Sequence, residues 1–190
     1  MPRTEVQNEE IRELKRNLIM HTALDLFANK GYYTTSISRI AHEAKISKGL
    51  MYHYFSSKEE LILAIMEKGI NKLMDVFDPN KDGQLTDDEI EFLVDQSFRI
   101  LQENTDYWKL YFATMIQPAV HKLLMESFKD LVPGMLGMME SYFRRKGVEN
   151  PVVEAIFFSA VLDGVGMNYV MNPEGFPIED IKSIIIKRFK

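Results

Sequence analysis

Lys48, Gly49, Leu50, Tyr52 and His53 directly follow a serine, Ser47, and their types suit contact with the edges of base pairs. A lysine ammonium can donate to guanine O6 and N7 or to a phosphate, a glycine permits close approach, and a leucine side chain packs on a thymine methyl. Ser36, Arg39, Tyr54 and Lys58 lie nearby and carry the hydroxyl and cationic groups that hold phosphate oxygens. A second set of residues offers different chemistry. Asp78, Asn80, Asp82, Gln84, Thr86 and Glu89 place side-chain or main-chain oxygens at alternating positions of a twelve-residue stretch with Gly83 at its sixth position, as a hard divalent cation requires.

The first set needs helices to present it. Ile37, Ile40, Ala41 and Ala44 fall at i, i+3, i+4 and i+7, so a short helix buries one face there, opened by Thr35 or Ser36. Ser47 offers a new N-cap ahead of Lys48 to Phe55, where Met51 and Phe55 repeat at i, i+4. Two short helices on a tight turn make a helix-turn-helix, whose second helix enters the major groove with its N-terminal residues nearest the bases. Ser57 and Glu60 fit a capping box, serine to the third amide and Glu60 back to the cap amide, before the apolar run Leu61 to Met66. The amides opening that helix would add anion-binding donors. Upstream, Ile11, Leu14, Leu18, Ile19, Ala23, Leu26 and Phe27 form a helical stripe that stops at Gly31, a natural C-cap.

The segment ALDLFANKGYYTTSISRIAHEAKISKGLMYHYFSSKEEL, Ala23 to Leu61, closely resembles the N-terminal domain of the TetR family of bacterial transcriptional regulators. The resemblance rests on Leu-Phe followed by Lys-Gly-Tyr, on Thr-Ser-Ile and Ile-Ala, and on Ser-Lys-Gly, Tyr-His-Tyr-Phe and Ser-Lys-Glu-Glu-Leu, in order and at family spacing. It implies an all-α chain, with a three-helix DNA-binding domain over residues 1–57 and a helical ligand-binding and dimerisation domain over residues 58–190. Two positions depart from the pattern. Leu50 stands where relatives commonly have a small hydroxyl residue, and Lys45 stands where they often have glycine at the turn. A left-handed lysine costs about 1 kcal/mol.

Composition narrows the function classes. Net charge is −5, yet residues 1–60 hold nine Lys and Arg against eight Asp and Glu, and residues 61–190 hold 14 against 20. A near-neutral reader of DNA must place its few cations well, so binding is expected to be specific, dimer-dependent and salt-sensitive. With no cysteine there is neither a disulfide framework nor a thiolate site, which fits a reducing cytoplasm. Met1 to Leu14 is polar and unlike a signal peptide, and Val152 to Met171 is interrupted by Glu154 and Asp163, so neither secretion nor a membrane span is expected. No nucleophile elbow or phosphate loop occurs, and His21, His42, His53 and His121 lack metal-ligand spacing, so no enzyme activity is expected.

Asp78 to Glu89 matches the EF-hand calcium-loop pattern at each required position. Asp78, Asn80 and Asp82 supply side-chain oxygens, Gln84 a backbone carbonyl, Thr86 a water-mediated contact and Glu89 a bidentate carboxylate. Leu85 fills the apolar position at which such loops pair. Thr86 with Glu89 is equally an ordinary capping box, and the chain holds no second copy of the loop. Calcium is therefore a possible ligand rather than a required cofactor, and an unpaired loop would bind it at roughly 10⁻⁵–10⁻³ M.

Beyond Ile90 helices are divided at Asn104-Thr105-Asp106, Pro118, Pro133-Gly134, Gly147 to Pro151 and Asn172 to Pro177. Trp108, Tyr111, Phe112, Met115, Phe128 and Met138 belong to an aromatic and methionine-rich interior, and the resemblance implies an effector pocket there for an unknown small molecule. Pro151 to Met171 and Ile178 to Phe189 read as a dimerisation pair. Ser159, Ala160, Gly164 and Gly166 would allow close approach, and Phe157, Phe158, Val161 and Val165 would supply apolar area. The expected partners are thus a pseudo-palindromic duplex operator, a second copy of the chain and an effector. The competing reading is a calcium-binding helical sensor with no DNA role, which leaves the helix-turn-helix unexplained.

Overall fold

The computed structural model describes residues 5–190, which form ten α-helices and, among the described residues, no strand. They are α1 (Glu5–Lys30), α2 (Ile37–Glu43), α3 (Lys48–Tyr54), α4 (Lys58–Phe77), α5 (Asp87–Glu103), α6 (Thr105–Met115), α7 (Pro118–Ser127), α8 (Leu131–Arg145), α9 (Pro151–Met171) and α10 (Ile178–Phe189). Two compact units result: the residues up to Lys68 together with Leu110–Ser127, and Gly69–Lys109 together with Phe128–Lys190. The first unit is made of α1, α2, α3, the start of α4, the end of α6 and α7.

The first unit is built on the expected stripes. Ile19, Leu24, Phe27, Ile40, Met51, Phe55, Leu61, Ile62 and Met66 are fully buried. α1 ends where Gly31 takes φ 90° and its N–H donates to the Phe27 carbonyl at 3.0 Å. The stripe begins later than its sequence suggests, however: Leu14 is 70% and Leu18 42% exposed, and burial on α1 starts at Ile19. His21 and His42 are exposed as well.

Hydrogen bonds fix the turn between α1 and α2. The Gln117 side chain accepts from the Tyr32 N–H and donates to the Phe27 carbonyl, both at 2.8 Å. Lys58 Nζ donates to the carbonyls of Tyr32 and Thr35 at 2.9 and 3.2 Å and lies 4.3 Å from the centre of the Tyr32 ring. The Tyr32 hydroxyl donates to Glu59 at 3.2 Å, and burial, then the Glu59 charge, pushes its pKa well above the usual tyrosine value. The bonds from Gln117 and Lys58 hold backbone polar groups that a loop would otherwise have to leave to water.

In the second unit α8 packs along α9, and α10 along α5. Phe143, Phe158 and Phe189 meet at ring separations of 4.9–6.1 Å, and the buried Trp108 donates its indole N–H to the Ile100 carbonyl at 2.9 Å. Pro133 and Gly134 do not divide two helices as expected; they lie in the first turn of α8, where a missing N–H goes unnoticed. α9 is long and apolar enough to cross a membrane by length and composition, but here one of its faces, including Ala155, Phe158, Tyr169 and Val170, is buried within the unit.

Candidate nucleic-acid interface

Two serines define the helix-turn-helix. Ser36 Oγ accepts the Arg39 N–H at 3.2 Å to open α2, and Ser47 Oγ accepts the Leu50 N–H at 3.1 Å to open α3. Between them Lys45 sits at φ 53°, the left-handed turn residue that the sequence suggested. α3 is anchored from beneath by Met51 and, at its C-cap, by Phe55, both 0% exposed. The Arg16 guanidinium covers Phe55 at 4.6 Å from the ring centre.

With Met51 facing inward, most of the other side chains of α3 face out. Lys48, Gly49, Leu50, Tyr52 and His53 are exposed, with Leu50 at 37% and Tyr52 at 48%. Lys48 and Tyr52 share one edge of the helix, ammonium to ring centre 5.9 Å, and His53 meets Tyr54 edge-on at 5.6 Å. Ser36 and Arg39 are exposed on α2; Tyr54 and Lys58 are half-buried. Lys58 has spent two of its three donors on the α1–α2 turn, so a single N–H remains for a phosphate.

The opening of α4 differs in one detail from the expected box. Ser57 Oγ accepts the Glu60 N–H at 3.0 Å, but the Glu60 carboxylate reaches past Ser57 to the N–H and hydroxyl of Ser56, at 2.7 and 2.5 Å. Those two bonds hold its pKa below the ordinary glutamate value. Gln117 is the residue that sequence reasoning missed. It lies 85 positions from the amide it holds, and no local pattern marks it.

The oxygen-rich stretch lies between α4 and α5. Thr86 and Glu89 form a complete capping box, with both reciprocal bonds present. Among the described residues no three His, Asp or Glu side chains gather as the ligands of one ion. Of the residues expected to line an effector pocket, Trp108 and Tyr111 are buried, while Phe112, Met115, Phe128 and Met138 are half-buried.

The exposed face of α9 carries Val152, Val153, Ile156, Phe157, Ala160, Gly164, Met167 and Met171, and α10 adds Ile184. Phe158 is not on that face but in the core, and Gly166 is there because a Cβ would stand 3.1 Å from Leu101 Cδ1. Ser159 turns inward too, donating to the Ala155 carbonyl at 3.0 Å, and Val161 and Val165 are half-buried at the edge.

Residues 19–65 match the family model of the bacterial regulatory proteins of the tetR family. A transcriptional regulator of the helix-turn-helix type from Bacillus subtilis, YuxN, is 58% identical over 52 residues, which is 27% of this chain and 18% of that protein. Alignments to this and two further curated relatives cover 18%, 27% and 63% of those relatives' own lengths. Among solved structures the chain resembles NalD, the secondary repressor of the MexAB-OprM multidrug efflux pump of Pseudomonas aeruginosa, at 18% identity. The TM-score is 0.69, over 95% of both chains. A transcriptional regulator from Saccharomonospora viridis in complex with choline superposes with TM-score 0.62 at 18% identity, over 90% of this chain and 93% of that one. At these identities the likeness shows the fold.

Proposed function

We propose that this chain, whose residues 19–65 match the family model of the tetR regulators, is a cytoplasmic repressor that binds a pseudo-palindromic operator as a homodimer and releases it when a small-molecule effector binds. The observation that carries the reading is the outward face of α3. A serine-capped helix, pinned by Met51 and Phe55, leaves Lys48, Leu50, Tyr52 and His53 exposed on its outer face. Lys48 and Leu50 stand at its N-terminal end, where a recognition helix meets base edges. Ser36 and Arg39 flank it for phosphate, and the last free donor of Lys58 joins them.

A second copy is the natural cover for α9. Its exposed apolar stripe runs the length of the helix, broken by Asp163, with Ala160 and Gly164 small enough for backbones to come close. Two-fold pairing through such a face repeats α3 at a fixed spacing, which a two-fold operator requires. Repression follows the role of NalD, and an apolar or cationic effector follows the choline-bound regulator and the aromatic and methionine residues Trp108, Phe128 and Met138 of the second unit. Calcium held in the loop between α4 and α5 would modulate this binding, because α4 runs from the helix-turn-helix unit to that loop.

The test is fluorescence anisotropy of the purified protein on the DNA flanking its own gene, with sedimentation to read the oligomer. The reading predicts a dimer that shifts one duplex tightly at low salt. Binding that is equal on all duplexes, or absent on every one, would overturn it.

A further inference from the structure

Tyr32, in the turn between α1 and α2, is held at each of its polar atoms by a side chain from another part of the first unit. Its carbonyl accepts from Lys58 Nζ at 2.9 Å and its hydroxyl donates to Glu59 at 3.2 Å, both from the first turn of α4. Its N–H donates to Gln117 Oε1 at 2.8 Å. The Gln117 amide nitrogen donates in turn to the Phe27 carbonyl, in the last turn of α1, also at 2.8 Å. The Tyr32 ring is 4% exposed and lies 5.2 Å from the Phe27 ring, centre to centre. Ser36, the N-cap of α2, follows four residues later, so the direction in which the chain enters α2 is set at Tyr32.

Gln117 is itself held for this task. It stands between α6 and α7, where its own N–H donates to the Thr114 carbonyl at 3.1 Å and its carbonyl accepts from the His121 N–H at 2.8 Å. Pro118 follows at the first position of α7, with φ fixed by its ring. The backbone of Gln117 is thus pinned on both sides, and a third side-chain bond, from Nε2 to the Ala113 carbonyl at 3.3 Å, fixes the amide. The chemistry calls for glutamine. One group must accept from an N–H and donate to a carbonyl at the same time, which an amide does and a carboxylate or an ammonium does not.

We propose that Gln117 is a positioning residue for operator reading: it fixes the α1–α2 turn, and through that turn the arrangement in which α3 presents its outer face to base edges. α2 packs on both α1 and α3, so a turn released at Tyr32 shifts α2 and carries α3 with it. Ser36 and Arg39 on α2, and Lys48 and Leu50 on α3, then lose their common register against a duplex. A residue 85 positions away thereby sets the discrimination of a motif to which it does not belong. This role rests on the reading of α3 as the recognition helix.

The test uses the full-length protein and Gln117→Met, which keeps nearly the volume of the side chain and removes its hydrogen bonds. Anisotropy is read on the duplex from the DNA flanking its own gene and on a scrambled duplex of equal length, at a temperature where both proteins are folded. Hydrogen exchange reads the Tyr32 amide. In Gln117→Met that amide should exchange faster and operator affinity should fall about tenfold, the size of one lost base contact, while affinity for the scrambled duplex stays the same. A merely structural role would lower the thermal midpoint and leave discrimination alone. Gln117→Glu retains the acceptor for Tyr32 but has no donor for Phe27, so its discrimination should fall between the two; it carries the same test should Gln117→Met fail to fold. Undiminished discrimination beside a faster Tyr32 amide would overturn the proposal, as would a Tyr32 amide that exchanges as in the parent. A parent that binds no duplex, or all alike, would instead remove the operator reading, and this role with it.

Discussion

α3 and the loop before α5 are the two parts of this chain densest in recognisable chemistry, and they hold it in opposite ways. On α3 the backbone is satisfied by Ser47 and the helix itself, the anchors Met51 and Phe55 face inward, and the polar and aromatic groups are left to solvent. In the loop the acidic and amide oxygens are turned onto the chain's own N–H groups, and one is sealed away unpaired. The first surface is ready for a partner as it stands. The second has its oxygens already engaged by the chain's own amides and by the cap of α5.

The largest way to break the comparison is to remove an anchor. Met51→Ala should cost about 2–5 kcal/mol of stability, as other buried methionine truncations do, and should abolish DNA binding with it; chemical denaturation and anisotropy read the two effects. Stripping the outer face should do the reverse. Lys48→Ala combined with Tyr52→Ala should leave the unfolding midpoint unchanged and weaken operator binding by roughly 1–3 kcal/mol per lost base contact. A pair of variants that behaved alike would show that α3 is packing, not reading.

For the loop, Arg145→Ala leaves the Leu85 carbonyl without its donor and should lower stability by about 1 kcal/mol, with operator affinity in chelator unchanged. The smallest expected effect is in acid. Lys146 and Tyr142 lower the Asp87 pKa, and Ser56 lowers that of Glu60. Folded-state values below the unfolded ones mean that each carboxylate contributes stability above its unfolded pKa and loses it as pH falls through the folded one. Asp87→Asn should therefore flatten the acid limb of a thermal-stability profile below about pH 4, with little change at neutral pH.

Much of this was legible because it is local. Ser47, Met51 and Phe55 declare α3 within nine residues, and Gly31, Thr86 and Pro151 mark helix ends through backbone chemistry that needs no distant partner. What could not be read was long-range. Gln117 reaches across 85 positions to the turn after α1, Arg145 across 60 to the loop, and Gly166 is explained only by Leu101 beside it. Periodicity also misled where one face had two possible uses. Leu14 and Leu18 continue the stripe of α1 but stay exposed, and Phe158 belongs to the core rather than to the outer face of α9.

The salt dependence of operator binding by the parent and by Lys48→Ala, taken in chelator, tests the central claim most directly. If α3 enters the groove of a duplex, the parent gives a steep linear fall of log affinity with log salt. Lys48→Ala then loses discrimination between operator and scrambled duplex, or loses about one unit of slope if its lysine meets a phosphate. Identical slopes and identical discrimination in the two proteins would contradict the account.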